Sequence, residues 1–163
     1  MADAKHHKRL LLYGVITLLI MLFIFFMSAQ DGEKSSLMSH SVLVSVIGRL
    51  VERVFPKLTG GGAESDIRKY AHMFEFFCLG ISAFLFFREL LVKNPRRLLY
   101  GSAAALGFSF LYACTDEWHQ TFVPGRAGLF SDVLIDTAGC LIGIVLICLL
   151  KAASSLDKKG RTG

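Results

Sequence analysis

Residues Leu10–Met27 read LLLYGVITLLIMLFIFFM and carry no charged side chain. As a helix rising 1.5 Å per residue this run is about 27 Å long, close to the ~30 Å of bilayer hydrocarbon. It can cross a membrane unaided. The rest of the chain has the same character: of 163 residues, 53% are hydrophobic, 14 are phenylalanine and only 19% are charged, against about 25% charged in soluble domains. So few polar residues cannot cover a water-facing surface. The balance excludes a disordered chain, a disulfide-stapled secreted module and a collagenous repeat, and it points to an integral membrane protein. A cleaved leader is the rival for the opening stretch, because Ser28 and Ala29 follow it. Its apolar core, however, exceeds the typical length of about 7–15 residues.

Working outward, three more apolar runs have spanning length: Tyr70–Val92, Leu98–Cys114 and Val133–Leu150. The second carries ionisable residues near its two ends, at His72 and Glu75 and at Arg88 and Glu89, with a very apolar middle between them. The third contains Gly101, Ser102, Ala103, Ala104, Ala105 and Gly107, small residues that let helices approach closely. A formal charge of +5 raises the question of nucleic acid, but the basic residues form no stripe. They gather at Lys5, Lys8 and Arg9, at Arg88, Lys93, Arg96 and Arg97, and at Lys151, Lys158, Lys159 and Arg161, each group abutting an apolar run. That placement sets membrane orientation, and no nucleic-acid partner is expected. All three groups fall on one side only if the chain crosses four times with both termini cytoplasmic. The expected fold is therefore all-α, a four-helix transmembrane bundle forming a single membrane domain over 1–163. Between the first two spans, Leu43, Val46, Ile47, Leu50 and Val54 recur at helical spacing opposite Ser41, Ser45, Arg49 and Glu52. They describe a short external amphipathic helix lying in the interface or across the bundle mouth.

This topology brings the unusual polar residues of all four spans to the outer end. The first span exits through Ser28 and Gln30. The second enters through Arg68, Lys69, His72 and Glu75, of which Arg68, His72 and Glu75 share one helical stripe. The third exits through Asp116, Glu117, His119 and Gln120, and the fourth enters through Arg126, Asp132 and Asp136. Val123, Pro124 and Gly125 before Arg126 read as a turn. An unpaired carboxylate in hydrocarbon costs roughly 2.5–3.5 kcal/mol at a helix centre on insertion scales. Glu75 and Asp136, each about a turn into its span, must therefore face inward, with Arg68, Lys69 and Arg126 as the available cations. One outcome is an ion-pair network that only fixes helix packing. Such networks stabilise poorly, because desolvation offsets the attraction, and intramembrane ionisable groups default to function.

Three segments, SAQ at 28–30, RKYAHMFEFFCLG at 68–80 and DEWHQTFVPGRAGLFSDVLIDTAGCLIG at 116–143, resemble the VanZ-like family. The likeness rests on the order RK-x-x-H-x-x-E, then DE-x-x-Q, PGR and D-x-x-x-D-x-x-G, and it runs from the first span to the fourth. Phe76 stands where that family often has tyrosine after the glutamate, which removes any role for a phenol there. The family is named for a membrane protein associated with teicoplanin resistance, so the resemblance implies a polytopic protein of the bacterial plasma membrane.

Two functions fit these residues. In the first, the outer cluster binds a polar or anionic envelope component, a lipid or cell-wall precursor head group. Arg68, Lys69 and Arg126 engage its phosphate or carboxylate, and Ser28, Gln30, His72, Glu75, Asp116, Glu117, Gln120, Asp132 and Asp136 complete the site. In the second, the protein is an intramembrane hydrolase or transferase acting on an outer-leaflet head group. Its catalytic candidates are Glu75, Asp116, Glu117 and His119, with Glu117 or Asp116 as general base and His119 as proton donor. No nucleophile elbow, P-loop or HExxH accompanies them. Cys78, Cys114, Cys140 and Cys148 lack paired spacing and read as packing residues. No cofactor is expected. Metal binding is a subsidiary option, because His72, Glu75, Asp116, Glu117, His119 and Asp132 offer ligand atoms at undiagnostic spacing.

Overall fold

The computed structural model describes residues 2–30 and 63–160, with side chains at 4–30 and 69–154. The expected amphipathic helix over 43–54 lies outside those residues. Four α-helices make up the described chain: α1 Ala2–Ser28, α2 Ala63–Leu90, α3 Arg97–Gln120 and α4 Phe130–Gly160. Each contains a stretch long and apolar enough to cross a membrane: Ala4–Ser28, Lys69–Leu90, Arg97–Gln120 and Phe130–Ser154. The third expected span stops at Cys114, but the helix continues to Gln120, so Asp116, Glu117 and His119 ride on its last turns. Helix periodicity overrides polarity here, because Asp116 and Glu117 turn inward and find partners.

The helices alternate in direction. The end of α1, the start of α2, the end of α3 and the start of α4 meet at one end of the bundle. At the opposite end His6 of α1 meets Glu89 of α2, and the backbone at Arg88 approaches Gly101 of α3. The α2–α3 connection is short, with Asn94 Oδ1 accepting from the Arg96 amide at 2.8 Å before α3 begins. Helix α2 touches the other three and forms the centre. Its Phe76, Leu79, Ala83 and Phe84 are fully buried, with Ile24 of α1, Ala105 and Ala113 of α3 and Cys140 of α4. Leu11, Leu19, Phe26, Leu111 and Leu149 point outward, as expected of surfaces that meet lipid.

The closest helix contact is between α2 and α4, which run parallel. A Cβ added at Gly139 would lie 2.3 Å from the Met73 carbonyl oxygen, and one at Gly143 would lie 2.4 Å from that of Phe77. The spacing Gly139-x-x-x-Gly143 is the small-residue pattern that lets membrane helices touch backbone to backbone. Span three keeps a close approach of its own at Gly101, where an added Cβ would lie 3.2 Å from the Arg88 Cα of α2. In span three Gly101 and Ala105 are buried, whereas Ala103 and Gly107 face outward, with nothing near Gly107. The seam also fixes register: Met73 lies over Gly139, and the Cys140 thiol donates to the Phe76 carbonyl at 3.0 Å. Residues one turn nearer the helix starts are thereby set face to face.

Candidate functional site

The start of the α2–α4 seam carries two layers of ionisable groups. In the outer layer Lys69 Nζ of α2 lies 2.8 Å from Asp132 Oδ1 of α4, which also accepts from Ser131 Oγ at 3.1 Å. One turn deeper, His72 faces Asp136, with Nε2 3.6 Å from Oδ2. The imidazole is engaged at both nitrogens. Nδ1 lies 3.0 Å from Glu75 Oε2 on the same helix, and Nε2 lies 2.9 Å from Asp116 Oδ2 on α3. A neutral imidazole has a single N–H and can donate to only one of them.

Helix α3 supplies the third wall. Asp116 and Glu117 are 3% and 5% exposed. Asp116 Oδ2 accepts from Ser28 Oγ of α1 at 3.0 Å and from Gln120 Nε2 at 2.8 Å, so the hydroxyl at the end of α1 is tied to the same oxygen as His72. Glu117 Oε1 accepts from Gln120 Nε2 at 3.1 Å, and its Oε2 accepts from the Leu129 amide at 2.9 Å. That main-chain donor was missed at the sequence level, because an amide carries no residue-type signal. Trp118, between these inward groups, is exposed and packs edge-on against Phe122, consistent with an interfacial ring.

The loop between α3 and α4 turns where Pro124 and Gly125 predict it. The Arg126 amide donates to the Val123 carbonyl at 3.1 Å, and Gly125 has φ 73, as the third position of a type II turn requires. The turn sends the Arg126 guanidinium back to α1. Nε donates to the Gln30 carbonyl at 3.1 Å, Nη2 to the Met27 carbonyl at 3.0 Å and Nη1 to Gln120 Oε1 at 3.4 Å. These carbonyls include unsatisfied acceptors at the negative end of the helix dipole, where a cation is favoured.

Lys69, His72, Glu117, Gln120, Arg126, Asp132 and Asp136 line one cleft, with Ala127 and Ile135. Its cavity volume is about 30 Å³. Glu75 and Asp116 reach it through His72, and Ser28 through Asp116. Gln30 joins by its carbonyl. Arg68 lies on α2 a turn before His72, but its side chain falls outside the described residues. His119 turns away: its ring packs 4.5 Å from that of Phe25 on α1. Glu75 and Asp136 were expected against arginine or lysine, yet among the described residues both meet His72. Depth explains the difference, because Lys69 lies level with Asp132 and only the residue one turn further in is level with Asp136. All four cysteines are free, and Cys140 is buried, as packing residues are. Over residues 13–151 the sequence matches the family model described as VanZ/LLP1. No curated protein and no solved structure matches the chain.

Proposed function

The chain belongs to the VanZ/LLP1 family, and on that premise we propose that it is a multi-pass protein of the bacterial plasma membrane whose charged end binds a polar or anionic cell-envelope component. The charged end faces the extracytoplasmic side, and binding there alters susceptibility to teicoplanin. One observation supports this most directly: seven polar or ionisable side chains from α2, α3, α4 and the loop before α4 line a single cleft. Lys69 and Arg126 give it donors suited to a phosphate or carboxylate, the arginine through its planar fork. A cavity of about 30 Å³ takes a group of only a few atoms. One anionic substituent therefore enters, and the rest of the component stays at the membrane surface.

The test is teicoplanin susceptibility of cells carrying Arg126→Ala or Glu75→Ala, with membrane levels of the protein checked. Where the intact protein protects, both variants lose protection; unchanged susceptibility removes the proposal. Sidedness has its own test. In a background without the four native cysteines, an impermeant thiol reagent added to whole cells labels Gly125→Cys and leaves Asn94→Cys untouched; the opposite pattern reverses the orientation.

A second function, hydrolysis or transfer at an outer-leaflet head group, draws on His72 held between Glu75 and Asp116, an orientation suited to moving a proton. Purified protein incubated with labelled envelope lipids then yields a product that Glu117→Gln does not.

A further inference from the structure

At the floor of the cleft, ligand-capable atoms of His72 on α2, Glu117 on α3 and Asp136 on α4 all lie within 4.8 Å of one another. Two facts separate this group from an ordinary ion-pair lattice. The first is an acceptor left over. Asp136 is 2% exposed and lines the cleft, yet its Oδ2 has no hydrogen-bond donor among the described residues. Asp116 Oδ1 is buried in the same condition. Buried polar atoms without partners are rare, and an ion that completes them is one of the few explanations. The second fact is charge. Glu75, Asp116 and Asp136 all pair with the single imidazole of His72 and Glu117 adds a fourth carboxylate, while of the other cations lining the cleft Lys69 is engaged by Asp132 and Arg126 donates to the Met27 and Gln30 carbonyls and to Gln120. In a low-dielectric surrounding, carboxylates this close repel strongly unless a cation joins them.

We infer that the cleft floor binds one divalent transition-metal cation through His72 Nε2 and the carboxylates of Glu117 and Asp136, with Asp116 beside them. One imidazole with two or three carboxylates suits Zn²⁺ or Mn²⁺. The surroundings are those of a built site. Glu75 holds Nδ1 and so aims Nε2 into the cleft, as outer carboxylates do for metal-binding histidines. Gln120 and the Leu129 amide hold Glu117, while Ser28 and Gln120 hold Asp116. The 4.8 Å spread compares with about 3.3 Å between neighbouring ligands of tetrahedral zinc, so inward shifts of about an ångström close the set. The cation takes the place of the hydrogen between Nε2 and Asp116 Oδ2, and that proton leaves to solvent. None of this depends on what enters the mouth above.

The experiment uses the full chain, purified in detergent through a tag without histidine and without chelator. Metal analysis finds about one equivalent of zinc or manganese per chain. His72→Ala and Asp136→Asn lose it, whereas the double variant His6→Ala, His7→Ala keeps it. After stripping with EDTA, added Zn²⁺ or Mn²⁺ raises the Tm of the intact protein and leaves Asp136→Asn unmoved. Misfolding is separated from ligand loss by the stripped Tm of Asp136→Asn, which is not below that of the stripped intact protein, because the substitution relieves repulsion. Three results each overturn the inference: no retained metal with no Tm response in the intact protein, wild-type metal in Asp136→Asn, or a stripped Asp136→Asn less stable than the stripped intact chain.

Discussion

The two ends of the bundle each set a histidine of one helix against buried carboxylate, and they differ in everything else. At the end with the chain termini, His6 Nδ1 of α1 lies 3.2 Å from Glu89 Oε1 of α2. Glu89 is 6% exposed, so water does not solvate it as its position near a span end suggests. Among the described residues this pair joins α1 to α2, enough to pin their ends. At the other end His72 meets carboxylates from α2, α3 and α4, with Ser28 of α1 behind them. Pinning needs one partner. An imidazole shared among three carboxylates exceeds what packing requires, and that excess is why the proposed site is placed at this end.

The comparison breaks most sharply at the histidines. His72→Ala leaves Glu75, Asp116 and Asp136 without the imidazole they share, and removing one member of a buried pair costs about 3–5 kcal/mol. Unfolding in detergent, followed in the presence of EDTA, reads that loss. Next is Gly139→Val, which drives a side chain into the Met73 carbonyl and costs about 1–3 kcal/mol or more. Since Gly139 lies one turn below Asp136, the change also parts Asp136 from His72. Engineered cysteines at the two ends should report separation at the charged end alone. Arg126→Ala removes charge-assisted bonds to the Met27 and Gln30 carbonyls, worth about 1.5–3 kcal/mol for a charged donor before water replaces it. Most of that effect should appear as faster amide exchange over the last turn of α1, not as global unfolding. The smallest change is His6→Ala, about 1–2 kcal/mol, because Glu89 is left without its partner but His6 is itself partly exposed and water can follow it into the gap. If it matches His72→Ala in the same unfolding assay, the two ends are alike and the contrast drawn between them fails.

Hydropathy, charge and helical period carried much of the molecule. Four apolar runs of spanning length can hardly do anything but cross a membrane as helices, because hydrocarbon leaves backbone groups no other partners. Alternating direction then brings Ser28, Lys69, His72, Asp116 and Asp132 to one level without any knowledge of contacts. The stripe of His72 and Glu75 follows from the period alone, and the turn at Pro124 and Gly125 from their backbone preferences.

Tertiary structure alone decided who meets whom. The glycine seam of α2 and α4 sets a register that gives Lys69 to Asp132 and leaves Asp136 to His72, and a shift of one turn would have exchanged those partners. The same is true of Arg126, spent in part on carbonyl oxygens at the end of α1, and of His119, turned onto Phe25 and away from the cleft. Composition and period fix what a helix is and which residues share its face. The depth and rotation at which one face meets another depend on side-chain volumes summed over both helices, and that sum exists only once the helices are packed.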